Sequence, residues 1–108
     1  MTMEFKEGPL RAILSTKGRK TGKTHSVELR AVFYSNKFYF SRRNHDSDWL
    51  KNAIAYPQVS IIVNGSSLQG HALLVKDETL AKKISSIKYT DRRAEDARIV
   101  LEVTLCEL

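Results

Sequence analysis

Apolar and polar positions alternate with a period of two over most of this chain, and the alternation breaks at turn residues. From Pro9 to Thr16, Leu10, Ala12 and Leu14 share one face and predict a first strand. From about His25 to Tyr34, Val27, Leu29, Ala31 and Phe33 face one way and Glu28, Arg30 and Tyr34 the other, a second strand. Ser35 and Asn36 signal a turn, and Lys37 to Arg42 returns as a third strand with Phe38 and Phe40 on one side. So short a turn makes the pair an antiparallel hairpin. After a polar loop over 43–47 the period lengthens. Trp49, Ala53 and Tyr56, with Leu50 and Ile54 in the next row, predict a helix with one broad apolar face. Asp46 or Ser47 can cap it, and Pro57 ends it. Gln58 to Val63 is a β-branched fourth strand, followed by a turn at 64–67. A fifth strand runs from about Leu68 to Lys76, with Gly70 as a candidate bulge. Asp77 can cap a second helix through Leu80, Ala81, Ile84 and Ile87. A charged loop over 89–97 leads to a last strand, Arg98 to Leu105.

Six strands and two short helices predict a mainly β, α+β domain spanning residues 1–108. The strands are mostly sequential and short-linked, so the sheet is expected to be mostly antiparallel. Closing it into a small barrel removes its exposed edges. The helices fall between strands three and four and strands five and six, positions suited to capping a barrel.

Charge sharpens the picture. The formal net charge is +6, which favours anionic partners. Much of it is concentrated between the first two strands, where Lys17, Arg19, Lys20 and Lys23 occur with no acid until Glu28. Gly18 and Gly22 let this run fold back, and Thr21, Thr24 and Ser26 add hydroxyls. A cationic, hydroxyl-rich loop between two strands suits a phosphate or carboxylate, because guanidinium forks, ammonium charges and loop N–H groups can converge on it. It is not an ATP-binding P-loop. Three residues separate its glycines where that motif needs four, and a strand follows instead of a helix.

Other chemistry is excluded or left without support. One cysteine, Cys106, cannot form an internal disulfide. His25, His45 and His71, with Asp46, Asp48 and Cys106, have no recognised ligand spacing, so no metal site is expected. No apolar run is long enough to span a bilayer, and residues 1–8 lack the apolar stretch of a signal peptide. A cytoplasmic location is the expectation.

Residues 15–23, Ser-Thr-Lys-Gly-Arg-Lys-Thr-Gly-Lys, resemble the loop T-T-x-G-R-K-[ST]-G-x of the deazaflavin-dependent nitroreductase and quinone reductase family. Those proteins are split β-barrels related to the pyridoxamine-phosphate-oxidase-like, FMN-binding flavoproteins. Trp49, Asn52 and Pro57 match the family's W-x-x-N-L-x-x-N-P, and the resemblance covers roughly residues 10–107. The chain departs from the pattern at Thr24, His25 and Glu28, where the family carries Pro-Arg and a second Pro. It departs again at Arg42, Arg43 and Asn44, where the family has Gly-Gly after its third strand.

The resemblance implies a homodimeric, six-stranded split barrel that binds the deazaflavin coenzyme F-420, or else FMN, and passes hydride to a quinone, nitro compound or similar electrophile. It implies that Arg19, Lys20, Thr21 and nearby N–H groups hold the cofactor phosphate. Lys17, Lys23 and His25 would add charge suited to the coenzyme's polyglutamate tail. Ser41, Arg42 and Arg43 would meet the ring and phosphate. Asn52 would fix a loop by hydrogen bonds, with Trp49 packed in the core. Tyr89 is the implied proton donor. Two alternatives stay open: a non-catalytic carrier of the same cofactor, and a basic nucleic-acid-binding barrel. The second is disfavoured because Phe33, Phe38 and Phe40 lie on faces that read as core.

Overall fold

A computed structural model describes residues 5–42, 47–91, 93 and 98–106. Eight elements follow in chain order: β1 (Gly8–Lys17), β2 (Thr24–Tyr34), β3 (Lys37–Arg42), α1 (Asp48–Ala55), β4 (Gln58–Val63), β5 (Ser66–Leu74), α2 (Glu78–Lys88) and β6 (Ile99–Leu105). The strands close into a barrel in the order β1-β2-β3-β6-β5-β4, and every pairing is antiparallel.

Two tight hairpins set the register. Ser35 and Asn36 (φ 51° and 67°), then Asn64 and Gly65 (φ 51° and 81°), place both central residues in the left-handed region. That geometry matches the right-handed twist of the flanking strands. Tyr34 then pairs with Lys37, and Val63 with Ser66. The fifth strand therefore starts two residues before Leu68, and the turn needs only Asn64 and Gly65. Gly70 is no bulge. It pairs regularly with Val59 on one side and Leu105 on the other. A Cβ there would stand 2.5 Å from Val103 Cγ1 and 3.2 Å from the Thr104 carbonyl, so the glycine permits close approach to the neighbouring strand β6.

The barrel interior is filled by Leu14, Ala31, Phe38, Phe40, Ile61, Leu101 and Val103. At the end where β1 begins, Phe5, Phe33 and Phe38 cluster with ring centroids 5.0–5.4 Å apart. Leu50 and Ala53 of α1 also join this interior cluster, and α1 packs against β1 and β5. Ile54 and Tyr56 are exposed, so the apolar face of α1 is narrower than the sequence implies.

The second helix does not cap a barrel end. Ala81 and Ile84 pack on Val32, Tyr39 and Val100, which lie on the outward faces of β2, β3 and β6. Asp77 caps it by accepting from the N–H groups of Thr79 and Leu80.

β2 and β3 pair only from Val32↔Tyr39 to Tyr34↔Lys37. Beyond that point β2 continues along β1 to Thr24, while β3 continues along β6 to Arg42↔Ile99. Among the described residues the two strands diverge there, and the barrel is split.

Candidate functional site

The basic run forms a compact loop at the end of the β1–β2 hairpin. The Gly18 N–H donates to the Lys23 carbonyl (2.8 Å), and the Gly22 N–H donates to the Gly18 carbonyl (2.8 Å). Gly22 has φ 73°, a conformation glycine adopts without steric cost. A Cβ on Gly18 would meet His25 Nε2 at 2.7 Å and Thr21 Oγ1 at 2.8 Å, so a side chain there would have to displace both.

Arg19 ties this loop to α1. Its backbone N–H and its Nη1 both donate to Asn52 Oδ1, at 3.2 and 2.7 Å. Its Nη2 lies 3.3 Å from Asp48. Asn52 is 4% exposed and sits on the inner side of the helix. The guanidinium is thereby fixed with one flank still open to solvent.

A cleft of 580 Å³ lies between this loop, β2 and α1. Arg19, Lys20, Thr21, His25 and Arg42 supply its cationic and polar side. Val27, Leu29 and Trp49 form an apolar wall, with Trp49 set edge-on to Phe40 at 6.3 Å. Trp49 thus both packs on the core and borders the cleft. Ser47 Oγ is buried at its margin with no partner among the described residues. Not every loop N–H is available to a ligand. Those of Gly18, Arg19, Gly22 and Lys23 are bonded within the protein. Those of Lys20 and Thr21 have no such partner among the described residues.

Of the residues expected here, Arg19, Lys20, Thr21, His25, Arg42 and Asn52 do line the cleft. Lys17 does not; its ammonium stands 4.7 Å from the centre of the Tyr56 ring. Lys23 does not line the cleft, and Arg43 lies outside the described residues. Ser41 and Tyr89 border a second cavity of 310 Å³, on the outer side of the split. The two cavities share Leu29 and Arg42.

The second cavity contains a residue the sequence reading missed. Lys88 is 8% exposed, and its Nζ donates to Ser41 Oγ at 3.0 Å. Burial pushes its ammonium below the ordinary lysine value, partly offset by Tyr89. The signal was present: Ala81, Ile84, Ser85 and Lys88 follow the i, i+3, i+4, i+7 spacing of a buried stripe.

Fold and site together define a class: a small six-stranded split barrel with a cationic loop and an apolar-walled cleft at its split end. One solved structure of similar fold is a candidate pyridoxamine 5′-phosphate oxidase from Listeria innocua (14% identity, TM-score 0.69, covering 90% of this chain and 84% of that one). Another is an F-420-H2-dependent reductase (22% identity, TM-score 0.68, 86% of this chain and 92% of that one). A third, with the same identity and TM-score, is described as a domain-swapped dimer, with 86% of this chain and 78% of that one covered. No curated protein matches the chain. The profile of the F420H(2)-dependent quinone reductase family matches residues 1–104, and the chain belongs to that family. It is an F-420-dependent reductase.

The cleft fits such a cofactor. Arg19, Lys20 and the unpartnered N–H groups of Lys20 and Thr21 are donors of the kind an anionic group needs, and Val27, Leu29 and Trp49 are apolar surface of the kind a ring needs. No helix among the described residues is long and apolar enough to cross a membrane.

Proposed function

We propose that the cleft between the basic loop and α1 binds the deazaflavin coenzyme through Arg19, Lys20, Thr21, His25, Arg42 and Asn52, and that the protein reduces a quinone or nitro compound. When bound, the coenzyme supplies hydride chemistry. The protein supplies the rest. Arg19 and the N–H groups of Lys20 and Thr21 hold the phosphate, and Asn52 keeps Arg19 in place. Lys17 and Lys23, outside the cleft, contribute long-range charge towards an acidic tail. Val27, Leu29 and Trp49 exclude water from the ring. Tyr89, 8% exposed at the adjoining cavity, is our candidate for the proton that completes reduction. A homodimer in the cytoplasm completes the reading. The split leaves one edge of β2 open to a second copy, and a protein of similar fold forms a dimer.

The observation that carries this reading is the arrangement of Arg19. Its guanidinium is braced by Asn52 and Asp48 at the edge of the cleft, beside two N–H groups with no internal partner. The test is a fluorescence titration of the apoprotein with oxidised F-420 and, separately, with FMN. Saturable F-420 binding that weakens by about tenfold or more in Arg19→Ala/Lys20→Ala is expected, since charge-assisted contacts of this kind are the strong ones. Binding unchanged by the double substitution would remove the loop from the site. Binding without turnover of quinones or nitroarenes would make the protein a carrier.

A further inference from the structure

The second cavity has an unusual electrostatic composition. Arg30, Arg42, Lys88, Arg93 and Arg98 line it, and among the described residues Glu28 is the one acid that does so. Glu28 is drawn to Arg11 (3.2 Å) and Arg93 is held by Asp91 (2.8 Å). Arg30, Arg42, Lys88 and Arg98 have no carboxylate within ion-pair distance among the described residues. Gathering like charges beside a half-buried ring is unfavourable unless an anion joins them. Among the described residues the buried ammonium of Lys88 meets the Ser41 hydroxyl and the Tyr89 side chain, and no carboxylate. A strong donor with spare N–H groups is thus left facing the cavity.

An aromatic surface lies within the same cluster. The Tyr89 ring is 8% exposed, with Arg93 Cζ 4.2 Å, Arg98 Cζ 5.1 Å and Lys88 Nζ 5.3 Å from its centre. The ring holds the cations together through its quadrupole, and it offers an edge for a planar ligand to pack on. Leu29 and Phe40 add apolar surface. The cavity therefore combines a patch for a flat ring with a focus of positive charge.

We propose that this cavity binds the anionic group of an aromatic electron acceptor, a carboxylate, sulfonate or phosphate carried on a quinone-like ring, with Arg30, Arg42, Lys88 and Arg98 as its counter-charges. The word acceptor rests on the reductase reading above; recognition of an anionic aromatic molecule does not. Leu29 and Arg42 border both cavities, so the second adjoins the first. Hydride and one proton entering such a quinone give the hydroquinone, and the coenzyme leaves oxidised. The same chemistry could instead serve the coenzyme's own acidic tail, and the test separates the two sources.

The experiment is calorimetric titration of the full chain with 1,4-naphthoquinone-2-sulfonate and with unsulfonated 1,4-naphthoquinone. Each titration is run without F-420 and with F-420 at saturation. The sulfonate is expected to bind about tenfold more tightly than the neutral parent, and to keep that preference with F-420 bound. Lys88→Gln and Arg98→Gln should each remove most of the preference while F-420 still binds. Arg30→Gln, at an exposed position, should weaken it in a chain whose folding is not in question. Equal binding of the two naphthoquinones would overturn the proposal, as would a preference untouched by all three substitutions. Exclusion of the sulfonate by F-420 would overturn it too, and would assign the cavity to the coenzyme tail. If the wild type binds no F-420 but retains a sulfonate preference that the variants lose, the reductase reading fails and the anion pocket stands.

Discussion

Replacing Asn52 with alanine tests how the basic loop is held. The eight-residue α1 is too short to be stable by itself, and Ser47 at its N-cap makes no side-chain cap bond. Its position depends on Leu50 and Ala53 in the core and on Arg19 reaching across from the loop. Asn52 Oδ1 accepts a charged donor at 2.7 Å and a backbone N–H at 3.2 Å. The first contact is worth about 1.5–3 kcal/mol and the second about 1, but Arg19 is partly exposed and water can replace some of the loss. Asn52→Ala should therefore cost about 2–3 kcal/mol, lowering Tm by about 10 °C in a domain of this size. F-420 affinity should fall by about tenfold or more, because binding must then order a loop that was already ordered. Asn52→Asp separates the two effects. It keeps the acceptor, so Tm should stay near wild type. It also adds a second carboxylate beside Asp48, so affinity should still fall. Differential scanning fluorimetry and the F-420 titration read both quantities. An Asn52→Ala protein with unchanged Tm and affinity would refute the idea that this side chain fixes the loop.

Three further outcomes follow from the packing. Gly70→Ala forces a methyl against Val103 Cγ1 and should destabilise by about 1–3 kcal/mol in urea unfolding, with no change in fold. Ile84→Ala empties the interface under α2 and should cost about 2–5 kcal/mol; near-UV circular dichroism should report loosened packing around Tyr39. The Tyr39 phenol is pushed up to about 12, first by burial and then by the Glu102 carboxylate that accepts its proton at 3.1 Å. Between pH 10 and that value the folded chain keeps a proton the unfolded chain loses, so stability falls as pH rises through this window. Tyr39→Phe should flatten that part of the stability curve, and an unchanged slope would count against the assignment.

The barrel was legible because its inward residues alternate cleanly. Val27, Leu29, Ala31 and Phe33 state the face of β2 without ambiguity, and the turns at Ser35-Asn36 and Asn64-Gly65 fix where strands end. What the alternation cannot say is which outward face a helix will cover. Val32 and Val100 are buried on the polar side of their strands because α2 lies over them, and that contact is set by tertiary closure, not by local period. Gly70 was misread for a related reason. A glycine in a strand marks either a bulge or a close approach, and only the neighbouring Val103 and Thr104 decide between them. The loop cations were legible as charge, but not which of them would turn inward. Arg19 turns towards Asn52, a residue thirty-three positions away, while Lys17 turns towards Tyr56.

The unequal lengths of β2 and β3 place both cavities. β2 has eleven residues and β3 six; three residues of β3 pair with β2 and five pair with β6. The first half of β2 is left with β1 alone among the described strands. Successive side chains of that half-strand must then serve opposite sides. Val27 faces the cleft beside the basic loop and Leu29 borders both cavities, while Glu28 and Arg30 face the cationic one. Their outward charges also discourage pairing of the open edge with stray strands. A one-residue slip of the β1–β2 hairpin would turn Glu28 and Arg30 towards the apolar wall and Val27 away from it. The fold-back at Gly18 and Gly22 prevents that slip by fixing Lys17 opposite Thr24. The loop proposed to cradle the anion is therefore also the loop that sets the register on which both cavities depend.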